Sequence, residues 1–150
     1  MLLLVFRLVI AGVVAIYAPY LIVSSHPTGA GIGSGALTVA GSALVAIGAA
    51  TYLGCVRDFV VIGPPSLVAR GTYRYVRNPM YLGLVLVLCG ESLVFESWRL
   101  AGYTATIGLA VHLVVVLYEE RELRKRLGQS YADYCNKVPR WLPRLGPAGR

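Results

Sequence analysis

"GTYRYVRNPMYLG", Gly71 to Gly83, sets three tyrosines, two arginines and an asparagine around one proline, between segments that are almost wholly apolar. Proline fixes φ and lacks an N–H, so it suits the first position of a helix, and an asparagine before it suits the N-cap. Asn78-Pro79 therefore predicts the start of a helix through Met80–Phe95. Its unpaired amides and partial positive charge face back into a connector that carries Arg74 and Arg77. A carboxylate or phosphate would be stabilised there. Arginines and tyrosines of this kind also anchor chains at membrane boundaries, and from this stretch alone both readings stand.

The surrounding composition decides the solvent. Of 150 residues, 57% are hydrophobic and 14% charged, against about 25% charged in soluble domains. Mean hydropathy is +0.66. Lipid is the expected solvent, and a helix needs about 20 apolar residues to cross it. Leu2–Val23 qualifies, with Arg7 near one end, as do Ala36–Val56 and Leu100–Tyr118; Met80–Phe95 is shorter. Leu2–Val23 has no basic run before a short apolar core and is long enough to span, so a retained helix is expected rather than a signal peptide.

The expected fold is all-α and integral to the membrane. It is one membrane domain over residues 1–150: two transmembrane helices in 1–57, a cytoplasmic connector at 58–79, two more helices in 80–118, and a cytoplasmic tail at 119–150. About four crossings follow, with the helical tail folded back over a pocket at the cytoplasmic mouth of the bundle. Twelve of the fourteen basic residues then fall on one side. The positive-inside rule makes that side the cytoplasm, with both termini there and, in a bacterium, the inner membrane as location. The net charge of +7 thus reads as topology. Nucleic-acid binding is not expected; the bilayer is the expected partner.

Other motifs resolve into packing. "GAGIGSG" at Gly29–Gly35 follows one membrane helix and opens another, so it lacks the strand a dinucleotide loop requires and reads as a flexible turn. Ser42, Ala46, Ala50 and Gly54 form a small-residue ridge for close helix approach. Cys55, Cys89 and Cys135, with His26 and His112, show no metal-ligand spacing, and no metal is expected. Glu91, an acid inside a membrane segment, is either functional or paired with Arg99 near the outer helix end. His112 suits one interhelical hydrogen bond better than catalysis.

The second polar cluster is "YEERELRKRLGQSYADYCNKVPRWLP", Tyr118 to Pro143. With four crossings, Glu119 and Glu120 emerge on the same face as Arg77 and Asn78. Helical spacing puts His112, Val116, Glu119 and Leu123 on one stripe and Leu113, Glu120 and Arg124 on the next, so at least one glutamate faces the bundle. A solvated helix end with Glu120–Arg124 and Glu122–Arg126 pairs is the plainer alternative. Gly128 ends the helix, Ser130 offers a weak cap before Asp133, and Pro139 and Pro143 prevent a long helix beyond. Arg140 and Trp141 suit the headgroup level.

From about Leu67 to Pro143 these two motifs, in order and spacing, resemble the isoprenylcysteine carboxyl methyltransferase family and, more broadly, integral-membrane methyltransferases that include phospholipid N-methyltransferases. The resemblance implies S-adenosylmethionine as methyl donor, bound on the cytoplasmic side by the last helices and the tail. Position by position, the family's Arg-His-Pro falls on Arg77, Asn78 and Pro79, followed by Tyr81 and Gly83. Its paired glutamates fall on Glu119 and Glu120, and its Tyr-x-x-Tyr on Tyr131 and Tyr134. Asn78 replaces the histidine of better-known members; it can donate a hydrogen bond but cannot titrate near neutral pH.

Read this way, the cofactor-binding set is Tyr73, Arg77, Asn78, Pro79, Tyr81, Gly83, Glu119, Glu120, Tyr131 and Tyr134. The tyrosine faces suit a sulfonium. Arg140 and Arg74 are candidates to hold an acceptor carboxylate, with Glu119 completing the catalytic set. The expected activity is methyl transfer to an amphiphilic small-molecule acceptor, lipid-like, such as an isoprenoid carboxylate. The alternatives are an NADPH-dependent sterol- or polyprenol-type reductase and a non-enzymatic helical scaffold.

Overall fold

The computed structural model describes residues 10–25, 35–61, 71–144 and 146. The Leu2 end of the first apolar segment, Arg7, His26, most of the glycine-rich turn and Arg70 lie outside these residues. Every element among the described residues is helical. Helix α1 is Ile10–Ser24, α2 is Ala36–Val61, α3 is Pro79–Val94, α4 is Trp98–Leu127 and α5 is Gln129–Lys137. A 3₁₀ turn spans Gly71–Arg74. By length and composition α2 and α4 can cross a membrane; α1 and α3 are shorter apolar helices. At about 1.5 Å per residue α4 is roughly 45 Å long, half as long again as a hydrocarbon core of about 30 Å. Its last turns, Glu120–Leu127, are accordingly polar.

The chain forms two compact units. The first comprises residues 1–49 and 84–107. Its α1 carries a π-helical turn at Val13–Tyr17, just ahead of Pro19. In a π turn the Val14 carbonyl would accept from residue 19, and proline has no N–H to give. The Tyr103 hydroxyl donates to that carbonyl at 3.0 Å instead. Around Leu88 and Leu100, both 1% exposed, the hydroxyls of Ser92 and Thr104 lie 3.1 Å apart and each donates to the Leu88 carbonyl. A polar side chain in an apolar helix is thus satisfied by backbone and neighbour. Arg99 lies over the Trp98 ring, 5.5 Å from its centroid, and not against Glu91. One Glu91 carboxylate oxygen is buried without a hydrogen-bond partner.

The small-residue contact in this unit sits one residue away from the expected ridge. Ser42, Ala46 and Ala50 are exposed, whereas Gly41, Gly48 and Cys55 are the buried positions of α2. A Cβ on Gly41 would meet the Gly90 carbonyl oxygen at 2.7 Å, and a Cβ on Gly90 would meet Val45 Cγ2 at 2.6 Å. The two helices touch through backbone, as small residues permit. Gly90→Ala is therefore expected to destabilise the fold by about 1–3 kcal/mol, the usual cost of overpacking. A lowered thermal midpoint in detergent checks this; an unchanged one contradicts the close approach.

The second unit comprises residues 50–83 and 108–150. It contains the end of α2, the 3₁₀ turn, the start of α3, the polar end of α4 and all of α5. Here α4 carries a second π-helical turn, Val115–Glu119. The extra residue in that turn rotates everything after it relative to a regular helix. The α4–α5 break falls at Gly128, whose φ of +55° lies in the region that favours glycine. Gly128, not Ser130, is the residue before α5, and Gln129 reaches Asp133 instead of a cap forming at Ser130. Val138 is extended and 1% exposed, and the described residues beyond it contain no helix.

Candidate active site

Helix α3 begins at Pro79 as its residue types dictate. Asn78 is its cap position, with its carbonyl accepting from Leu82 N–H at 3.0 Å. The Asn78 side chain does not close the cap; Nδ2 donates to the Arg140 carbonyl at 3.4 Å. The connector is bound to the C-terminal segment by its backbone. Arg77 N–H donates to the Pro139 carbonyl at 2.9 Å, Arg144 N–H to the Tyr75 carbonyl at 3.0 Å, and the Tyr134 hydroxyl to the Tyr73 carbonyl at 2.9 Å. These bonds connect residues about 60 to 70 positions apart in sequence.

At the centre lies Glu120, 5% exposed. Arg140 grips it with two donors, Nε to Oε1 at 2.7 Å and Nη2 to Oε2 at 2.9 Å. Arg77 Nη1 adds a third contact to Oε1 at 3.0 Å and also reaches Cys135 Sγ at 3.1 Å. A buried carboxylate is stable only when it is paired and hydrogen-bonded, and three charged donors on its two oxygens provide this. This inner triad holds two guanidinium groups and one carboxylate, with the carboxylate of Glu119 next along α4. Arg77 Nε is buried with no partner. Hydrogen bonding to Glu120 holds the Arg140 guanidinium further above its ordinary pKa, with burial acting the other way.

Glu119 and Glu120 take different roles although they are adjacent. The π turn ends at Glu119, and Glu119 Oε1 accepts from the Tyr81 hydroxyl at 2.7 Å. The plain surface reading of Glu120 with Arg124 is therefore corrected: Glu120 turns inward to Arg77 and Arg140. Glu122 does form its helical pair with Arg126, at 2.6 Å on the exposed face.

On α5, Tyr131 and Tyr134 share one face with ring centroids 6.1 Å apart. Burial pushes the Tyr131 phenol up to about 12, with nearby Cys135 and Glu120 adding to the shift. Burial also raises Tyr134. Both phenols are neutral at physiological pH. A phenol near 10 in the unfolded chain ionises before the folded one does, so stability falls as pH rises from about 10 towards 12. Tyr131→Phe is expected to flatten that decline in a pH series of unfolding midpoints; an equally steep decline would remove Tyr131 as its source.

The structure thus brings Tyr73, Arg77, Asn78, Pro79, Tyr81, Glu119, Glu120, Tyr131, Tyr134 and Arg140 into one cluster. Gly83 is buried one turn into α3, and Arg74 ends the 3₁₀ turn at its edge. Arg140 gives Nε and one Nη2 donor to Glu120, and its remaining guanidinium donors are the ones an acceptor would use. Two partners were not anticipated from the residues. Cys135 sits against Arg77, where an i+4 step from Tyr131 was the available signal. Trp141 Nε1 donates to His112 Nδ1 at 3.2 Å, so Trp141 points to a helix of its own unit and the histidine's partner comes from the C-terminal segment.

A family model described as phospholipid methyltransferase matches residues 29–130, more than half of the sequence. The chain belongs to the phospholipid methyltransferase family. The broader resemblance drawn from residues 67–143 is borne out by this match. Among curated proteins, the chain is 34% identical over 73 residues to methanethiol S-methyltransferase 2 of Bradyrhizobium diazoefficiens, covering 49% of the chain and 27% of that protein. It is 35% identical over 71 residues to methanethiol S-methyltransferase of Mycobacterium tuberculosis, covering 47% and 28%. The chain thus spans little more than a quarter of the length of these relatives. No solved structure matches it.

Proposed function

We propose that this family member transfers a methyl group from S-adenosylmethionine to a membrane-dissolved acceptor, using the cluster around Glu120. The observation that carries the reading is the meeting of the α3 start with the acidic end of α4, through Arg77–Glu120 at 3.0 Å and Tyr81–Glu119 at 2.7 Å. The donor set fits the group. The unpartnered buried Arg77 Nε suits its carboxylate, and the carboxylate of Glu119 suits its ammonium or ribose hydroxyls. Neutral tyrosine faces suit its sulfonium. When bound, S-adenosylmethionine supplies an activated methyl group for in-line displacement. The residues bind and orient, and exclude water; no protein nucleophile is required. Glu120 acts indirectly, by holding Arg77 and Arg140 in place.

The four crossings, with the connector and tail on the cytoplasmic side, belong to the same proposal. The length of α4 and the concentration of basic residues in the connector and tail support it.

Two acceptor classes are open to this site. A lipid-like acceptor is favoured by the family description and by the exposed apolar faces of the helices. A small thiol is favoured by the names of the matched relatives. Purified protein in lipid nanodiscs, given tritiated-methyl S-adenosylmethionine, separates them. Transfer to phosphatidylethanolamine or a prenylated cysteine supports the first, and transfer to methanethiol supports the second. Transfer to none of these, together with NADPH binding, would overturn the methyltransferase reading.

A further inference from the structure

Asp58 is the one acidic residue before Glu91, and the mechanism above does not use it. It lies three residues before the end of α2 and points at the Gly71–Arg74 turn. Its Oδ2 accepts the Thr72 backbone N–H at 2.8 Å and the Thr72 hydroxyl at 3.1 Å. The Thr72 hydroxyl lies 3.3 Å from Cys55 Sγ, and Cys55 is fully buried. Gly71 adopts φ +54°, and a Cβ there would land on the Asp58 carboxylate. The carboxylate therefore fills the space a side chain would take, and only glycine permits that approach. Thr72 in turn accepts from Tyr75 N–H at 3.2 Å, two residues before Arg77.

We propose that Asp58 is a positioning residue for the cofactor site, fastening the Gly71–Arg74 turn to α2 so that Arg77 and Asn78 are held in register with Glu120. The proposal rests on the cluster being the S-adenosylmethionine site. The connector has two anchors: the C-terminal segment holds it at Tyr73, Tyr75 and Arg77, and Asp58 holds it at Thr72. With the Thr72 anchor removed, the connector is held from the C-terminal side only, and Arg77 gains freedom that its bonds to Pro139, Cys135 and Glu120 must restrain. A misplacement of about 1 Å at a binding group is enough to cost a large factor in function.

Asp58→Ala and Thr72→Val test this in nanodiscs. Asp58→Ala is expected to weaken S-adenosylhomocysteine binding about tenfold and Thr72→Val a few-fold, with the double variant no worse than Asp58→Ala. Backbone amides of residues 72–77 should exchange faster in Asp58→Ala. In turnover, KM for the methyl donor should rise while KM for the acceptor stays put; a general loss of structure would move both. Should Asp58→Ala fail to fold, Thr72→Val carries the same readouts. Wild-type affinity in both variants, or equal rises in the two KM values, overturns the positioning role. A wild-type protein that binds no S-adenosylhomocysteine overturns the functional reading itself; faster exchange at 72–77 in Asp58→Ala would then still mark the anchor as mechanical.

Discussion

Glu120→Ala is expected to lower stability by about 3 kcal/mol and to abolish measurable S-adenosylhomocysteine binding. The magnitude follows from what the substitution leaves behind. Arg77 is 13% exposed at its side chain and Arg140 32%. Without Glu120 two guanidinium groups face each other with their charge uncompensated, and breaking a buried ion pair by removing one partner costs about 3–5 kcal/mol. The lower end applies because Arg140 reaches water. Glu120→Gln keeps the shape and one acceptor oxygen, so it should lose less stability while still losing the ionic grip. Chemical denaturation of both variants checks the order; equal stability of Glu120→Ala and wild type would mean that the cluster is not held by its acid.

Glu119→Ala is expected to behave differently. It should weaken S-adenosylhomocysteine binding by about ten- to a hundredfold, the range for losing a charged hydrogen-bonding partner of about 1.5–3 kcal/mol. Its thermal midpoint should stay within a few degrees of wild type, because Glu119 is half-buried whereas Glu120 is 5% exposed between two arginines. Tyr81→Phe, which removes the hydroxyl at 2.7 Å from Glu119, should reproduce a smaller part of the affinity loss. Calorimetry and thermal unfolding of the two glutamate variants side by side separate a ligand-facing acid from a structural one. Matching profiles would deny the division of labour between these neighbours.

That division was only half legible in the residues. Asn78-Pro79 announces a helix start because proline has one comfortable place near a helix end, and the structure begins α3 there. The paired glutamates beside Arg77 and Asn78 were also readable, since acids at the end of an apolar helix need partners. Which glutamate takes which partner was not, because it depends on the π turn at Val115–Glu119 and no residue in "VVLYE" signals an inserted position. The same one-residue sensitivity displaced the packing face of α2. Ser42, Ala46 and Ala50 look like a contact ridge by size, yet Gly41 and Gly90 allow a closer backbone approach, and close approach decides.

Long-range partners were the other gap. Arg140 reads as a headgroup anchor or an acceptor clamp, and nothing in the sequence shows that it also grips Glu120. Asp58 is separated from Thr72 by residues with no polar pattern that would link them. What could have flagged it is isolation: a lone acid in ninety residues, at a helix end facing a Gly-Thr pair. Such signals locate a candidate but leave its partner open, because pairing is a property of the folded chain.

Whether the start of α3 and the polar end of α4 form one cofactor site is decided by calorimetric titration of the detergent-solubilised protein with S-adenosylhomocysteine. Saturable one-to-one binding in the wild type, lost when Glu119 and Glu120 are both replaced by glutamine, is the expected result. Absence of binding in a folded wild-type protein, or unchanged affinity in the double variant, would contradict it.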